Sequence, residues 1–368
     1  MTHAMPIPEP LLALKPGQAG RVLLPEVVAL AEREGILGVI RSLPSFTFDK
    51  LCDALSRECA LDLGDESRRR MVRLLVDLLR EVRWLRRSGD GDGWEFHAGR
   101  PVLPGAMADA GSDGEIRFLR RCLELAPRYL RGQEPSIGFD PACASLWEDF
   151  LGCAEFQACR TVLLDMMAGV ASTDARMLDL CHGPGWGIER TLERFPSARL
   201  SAIDFTDSFA ETARRREAEA HARIRARGAD TRPVEWYGPA DWRGFGEPLP
   251  FGDSSFDAIL FGCGDPYIPS RLREDVYADL HRVLAPGGML GILTRGRPDP
   301  ERRHVPSRMF RITTLIHDFS ESVCAGWQGF ADVGESRRLF ERIGFIPCGP
   351  KIGEMAFFGS SIWLMRKG

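Results

Sequence analysis

Apolar residues recur at helical spacing over residues 25–41, interrupted at Gly35 and Gly38 and stopped at Pro44. "SFTFDKLCDAL" predicts a second helix that starts near Thr47, whose hydroxyl suits an N-cap. The clearest amphipathic run is "DESRRRMVRLLVDLLREVRWLRR", with Met71, Leu75, Leu78, Val82 and Leu85 on one face and arginines mostly on the others. "WLRRSGDGDGWEFH" predicts two short strands around a Gly/Asp turn. Residues 99–114 read as a loop by composition, and "EIRFLRRCLELAPRYLRG" and "SLWEDFLGCAEFQACRTVLLDMMAG" return to helical periods. Helix, helix, longer helix and hairpin is the order of a winged helix.

From Met177 the pattern becomes an alternation of strands and helices, which predicts a mostly parallel α/β sheet. "RMLDL" is a buried strand, followed by a glycine turn and the helix "IERTLERF". "ARLSAIDF" is the second strand and "SFAETARRREAEAHARIRARG" its helix; "DTRPVEWYG" holds a third strand and "SFDAILFGC" a fourth. "MLGILTR" is a fifth strand after a Pro286-Gly287-Gly288 turn, and "FIPCGP" with "SSIWLMRKG" forms a closing hairpin.

The turn "CHGPGWG" ends the first strand of that series at the carboxyl edge, where sheets of this type bind ligands. Gly183, Gly185 and Gly187 let backbone pass close to a ligand. Asp204, at the end of the second strand, is placed to accept hydrogen bonds from both hydroxyls of a ribose. A dinucleotide fingerprint needs Gly-x-Gly-x-x-Gly, whereas here Ile188 follows Gly187 and the third glycine comes one residue early. S-adenosylmethionine carries no phosphate; it needs a close backbone, a sugar acceptor and an acid for its amino group, which Asp179 supplies. The residues favour S-adenosylmethionine.

At 368 residues two domains are expected, and we place the boundary between 135 and 136. A net charge of -4 argues against broad dependence on phosphate contacts. The ten cysteines include no Cys-x-x-Cys pair, so neither a zinc site nor a redox dithiol is signalled. With no apolar run of bilayer length and no basic-then-apolar leader, the expectation is a cytoplasmic protein that has no metal and no membrane contact.

The series "MLDLCHGPGWG…LSAIDF…LPFGDSSFDAILFGCG…LHRVLAPGGMLGIL" resembles the motifs of class I S-adenosylmethionine-dependent methyltransferases across most of 175–368. The preceding segment resembles small-molecule O-methyltransferases, whose N-terminal region forms an intertwined dimer and helps roof the substrate pocket. The resemblance implies a Rossmann-like sheet in residues 136–368, a mostly helical winged-helix-like dimerisation domain in 1–135, and a homodimer. By position, Asp179, Gly183 and Gly185 border the methionine and sugar, Asp204 holds the ribose and Phe205 lies by the adenine. Asp241 and Trp242 match the pair that meets the adenine, and Gly262 and Cys263 lie beside the sulfonium. Cys181 stands where the family has its first glycine: either the turn needs no positive φ there, or the cofactor sits slightly differently.

The resemblance implies methyl transfer to a small molecule, with oxygen as the acceptor atom, in natural-product tailoring. The family's usual His after the fourth strand is missing; Tyr267 falls near that position, with Asp265 two residues before it. The insertion after the fifth strand supplies His317 as a proton acceptor, with Thr313 beside it and His304 ahead of its helix. Trp147, Phe150, Met166 and Thr313 are candidates for the substrate wall. Alternatives are a nitrogen or carbon acceptor and a non-methylating relative that acts as hydroxylase, decarboxylase or pericyclase. A DNA-binding regulator built on the arginine-rich helix is a further alternative, and the acidic residues interleaved there oppose it.

Overall fold

A computed structural model describes residues 18–88, 93–97, 113–134, 137–169, 171–297, 308–348, 356–357 and 360–368. The loop expected at 99–114 and the candidate His304 fall largely or wholly outside these residues. The chain forms two compact units: one draws on residues 139–305 and 330–368, the other on 15–138 and 306–329.

The second unit contains helices α1 (Gln18–Arg33), α2 (Ile36–Ser42), α3 (Phe48–Glu58) and α4 (Glu66–Glu81), then strands β1 (Leu85–Arg87) and β2 (Trp94–Phe96), and α5 (Asp113–Leu130). Thr47 caps α3 by accepting from Lys50 N, and the Asp65 carboxylate caps α4 by accepting from Ser67 and Arg68 N. The stripe read from the sequence is the buried face of α4, with Met71, Leu75 and Leu78 all inside. β1 and β2 pair antiparallel, and Phe46 bridges to Trp94 beside them. Several arginines of α4 are committed locally: Arg69 pairs with Asp49, Arg80 with Asp77, and the Arg73 guanidinium lies 3.6 Å over the Phe48 ring. This unit also takes in a helix from far along the chain, Arg308–Glu321, packed against α1, α4 and α5. A division at 135/136 along the chain leaves that helix on the other side.

The first unit holds α6 (Ala144–Leu151), α7 (Ala154–Ala168), β3 (Arg176–Leu180), α8 (Trp186–Arg194), β4 (Arg199–Ile203), α9 (Ala210–Ala226), β5 (Glu235–Tyr237) and β6 (Phe256–Gly262). It continues with α10 (Arg273–Val283) and β7 (Leu284–Thr294); with the other unit's helix numbered α11 (Arg308–Glu321), there follow α12 (Val333–Ile343), β8 (Phe345–Pro347), β9 (Ala356–Phe357) and β10 (Ser360–Lys367). The sheet order is β5-β4-β3-β6-β7-β10-β8, with β9 paired to β10. β5, β4, β3, β6 and β7 run parallel, while β10 lies antiparallel to both β7 and β8. This is the doubly wound order 3-2-1-4-5-6 with one antiparallel strand inserted before the last, unlike the all-parallel dinucleotide sheet. β3 is buried from Met177 to Leu180, as a strand covered on both faces must be. Chain order reverses between β3 and β6, so the carboxyl ends of β3, β4 and β6 frame the crevice where such sheets bind ligands.

Candidate functional site

The turn after β3 carries three left-handed residues, Cys181 (φ 56°), Gly183 (φ 51°) and Gly185 (φ 85°). Cys181 thus does adopt the positive φ that its side chain disfavours, at a cost of about 1 kcal/mol. The glycines serve different neighbours. A Cβ on Gly185 would come within 2.7 Å of the Ala213 backbone on α9, and one on Gly187 would strike the Asp179 carboxylate. These two glycines make room for protein atoms; at Gly183 the nearest atom to such a Cβ is 3.7 Å away.

Three acidic or thiol groups meet beneath this turn. Asp204 accepts from Gly183 N at 2.8 Å and from Thr206 N at 3.2 Å, which ties the ends of β3 and β4 together. Burial pushes its carboxyl up, opposed by nearby His182 and by the bonds from Gly183, Thr206 and Phe205 N–H. Asp179 is 2 % exposed, and its Oδ2 has no hydrogen-bond partner among the described residues. Burial raises its pKa to about 7, with Asp204 adding to the rise and Arg160 opposing it. Burial and these two carboxylates also push the Cys181 thiol well up, so no thiolate competes as a nucleophile at neutral pH. Arg160, buried on α7, gives one Nη to Leu151 O at 2.8 Å. A buried carboxylate oxygen with no donor is costly unless a ligand cation reaches it.

Phe139 gathers the aromatic residues of this edge. Its ring stacks on Trp147 (centroids 5.2 Å, 21° between planes) and meets Phe205 and Tyr267 edge-on at 5.3 and 5.0 Å. Its carbonyl accepts from Thr206 Oγ1 at 3.2 Å and from Ser208 Oγ at 2.9 Å, both in the loop after Asp204. The candidates Trp147, Phe150, Phe205 and Tyr267 therefore form one cluster, with Trp147 and Phe150 6.0 Å apart. At the end of β6, a Cβ on Gly262 would meet nothing within 4 Å, and Cys263 turns the chain with φ 63°.

Other candidates have different settings. Trp242 is buried in the core behind Phe205, with Nε1 donating to Glu247 O at 3.1 Å, so its ring supports the site from behind. Asp241 is exposed and closes its own turn by accepting from Gly238 N at 3.0 Å. Asp265 is no free base. One of its oxygens accepts from Arg273 at 2.7 Å and from the Tyr277 hydroxyl, and the other lies 3.5 Å from Thr294 Oγ1. Met166 is buried in α7, the helix laid on β7 and β10.

His317 needs a correction. It is fully buried in the second unit, with Nε2 2.7 Å from Glu115 Oε1 and Nδ1 3.0 Å from Glu321 Oε1. A ring with both nitrogens held by buried carboxylates is braced for structure, not poised to take a substrate proton. Thr313, one turn earlier, is buried against Gly20 of α1 in place of lining a substrate wall. Sequence reasoning missed Arg160 and Phe139; neither lies in a motif, and both reach the site only through tertiary packing.

Residues 177–288 match the family described as "Methyltransferase domain". That stretch, from β3 to the start of β7, is the part of the chain that matches a methyltransferase domain. The Asp179 oxygen that has no partner among the described residues and the Asp204–Gly183 clasp both lie within this matched stretch. Over 166 residues the chain is 27% identical to a demethylmenaquinone methyltransferase of Listeria monocytogenes serotype 4a, covering 45% of this chain and 62% of that protein. A Staphylococcus aureus protein of the same name is 26% identical over 181 residues, which cover 46% of this chain and 68% of that protein. The methyltransferase match thus spans less than two thirds of the Listeria relatives' length. In fold, the chain is similar to the CurJ carbon methyltransferase (TM-score 0.60, 14% identity, 98% of this chain and 96% of that one). It is also similar to an O-methyltransferase family 2 protein of Planctomyces limnophilus, solved with apigenin (TM-score 0.55, 14% identity, 99% of this chain and 100% of that one). Among the described residues no helix is long and apolar enough to cross a membrane, and no group of three His, Cys, Asp or Glu is arranged to hold a metal.

Proposed function

We propose that this chain transfers the methyl group of S-adenosylmethionine to an oxygen atom of a small, flat, largely apolar acceptor, as a tailoring enzyme of natural-product synthesis. One observation carries the reading: a buried Asp179 oxygen that has no partner among the described residues, beside a buried arginine. The amino-acid end of the donor is a zwitterion. Asp179 takes its ammonium and Arg160 its carboxylate, while Asp204, already fixed by Gly183 N, uses its remaining lone pairs for the ribose.

When bound, S-adenosylmethionine supplies a methyl on a positively charged sulfur, an activated group that needs no Lewis acid. The chain's task is to hold the acceptor in line with it and to keep water out, and orientation of this kind contributes about 7–11 kcal/mol. Gly262 leaves the end of β6 open for that approach. The half-buried Phe139 and Tyr267 offer flat apolar faces to the acceptor, backed by the buried Trp147, and Tyr267 orients the acceptor's oxygen. With His317 and Asp265 committed elsewhere, the acceptor reacts as its own anion.

The fold shared with CurJ, and with the DszA carbon methyltransferase at TM-score 0.60, favours carbon as the second reading. Incubation with S-adenosylmethionine and a panel of phenols and quinols, one of them a demethylmenaquinol, separates the two. The expected product carries an O-methyl signal in its NMR spectrum with one S-adenosylhomocysteine formed per methyl. A C-methyl product replaces the acceptor atom, and no S-adenosylhomocysteine from any member of the panel overturns the reading.

A further inference from the structure

The crossover from β5 to β6 contains no helix. Residues 238–255 run as turns, and Trp242, Phe245 and Leu249 fill part of the space beside α10 where a crossover helix would lie. The unfilled remainder is a cavity of about 380 Å³, walled by Leu180, Trp242, Phe245, Val276 and Leu280. Its walls are fixed before any ligand arrives. Trp242 Nε1 donates to Glu247 O at 3.1 Å, Leu249 N donates to Asp279 Oδ2 at 2.7 Å, and Arg282 Nη2 reaches Leu249 O at 3.2 Å. The volume falls in the range of small-molecule sites, roughly 300–1,000 Å³, and a preformed wall lowers the entropy cost of binding.

The charge around the cavity is unbalanced. Arg282 is spent on Asp279 and Asp253, and Glu247 pairs with Arg243. Asp275, in the first turn of α10, lines the same cavity and has no ion-pair or hydrogen-bond partner among the described residues. We propose that this cavity is a second small-molecule site that takes an apolar amine, its hydrocarbon body on Trp242, Phe245 and Val276 and its cationic head at Asp275.

The test titrates tryptamine into the full chain by calorimetry, with and without S-adenosylhomocysteine, alongside the neutral N-acetyltryptamine and the anionic indole-3-propionate. Tryptamine is expected to bind roughly two- to fivefold more tightly than the neutral analogue, as for a solvent-accessible ion pair, and more tightly still than the anion. Asp275→Asn should remove the advantage of the amine and leave the neutral analogue unchanged. A Cβ on Gly246, an exposed residue of the cavity lining, meets nothing within 4 Å, so Gly246→Leu adds an apolar side chain at that lining without a backbone clash and should weaken binding of all three. Val276→Trp fills the cavity from the helix side as an independent check. Undiminished binding in both variants, equal binding of the anion, or no heat with tryptamine at millimolar concentration overturns the proposal.

Discussion

The proposed pairing of Asp179 with the ammonium of the methyl donor makes ligand binding depend on pH. Its pKa in the free chain is about 7, because burial and the Asp204 carboxylate disfavour its charge more than Arg160 supports it. Binding an ammonium selects the ionised form. At pH 8 most Asp179 is ready for the ligand, whereas at pH 6 only about a tenth is, so affinity for S-adenosylhomocysteine should fall about tenfold between them, or roughly 1.4 kcal/mol. Near pH 7 each binding event should release about half a proton, read as a dependence of the calorimetric heat on buffer ionisation enthalpy. Stability of the free chain carries the opposite sign. Between the ordinary carboxylate value of 3.8 and about 7, folded Asp179 keeps a proton that the unfolded chain has lost, so its contribution to stability falls as pH rises through that window. Asp179→Asn should erase this pH dependence of Tm and weaken the ligand roughly ten- to hundredfold, as expected for a lost charge-assisted hydrogen bond. Constant affinity from pH 6 to 8 with no proton release would refute the pairing of Asp179 with an ammonium.

Arg160→Gln should weaken S-adenosylhomocysteine about tenfold or more yet leave 5′-deoxy-5′-methylthioadenosine, which has no amino-acid tail, nearly unchanged; an equal loss for both would mean that Arg160 only holds Leu151 O. His317→Ala leaves two buried carboxylates facing each other and should cost the second unit about 3–5 kcal/mol in denaturant unfolding, with S-adenosylhomocysteine affinity unchanged. Full stability with turnover abolished would return His317 to the role of base.

The sheet was legible because each strand is a short buried run closed by a turn signal, and β3, β4, β6 and β7 lie where the pattern places them. The glycine turn and its paired acid were legible for the same reason: both are local in sequence. What lay beyond reach was tertiary. Asp265 and His317 have the chemistry of a base, but their partners, Arg273 with Tyr277 and Glu115 with Glu321, are supplied by other turns and helices. The helix bearing His317 follows β7 in the chain yet packs with α1, α4 and α5, which a linear boundary at 135/136 does not capture. Phe139 and Arg160 had no motif to mark them: the Phe139 ring meets Trp147, Phe205 and Tyr267 only once the chain has folded.

The central claim is that the crevice above β3, β4 and β6 seats a sulfur-bearing nucleoside amino acid. A crystal structure of the chain with S-adenosylhomocysteine tests it most directly. The account predicts the ligand's ammonium on Asp179 Oδ2 and its ribose hydroxyls on Asp204; a nucleoside bound away from both carboxylates, or none bound at saturating concentration, would contradict it.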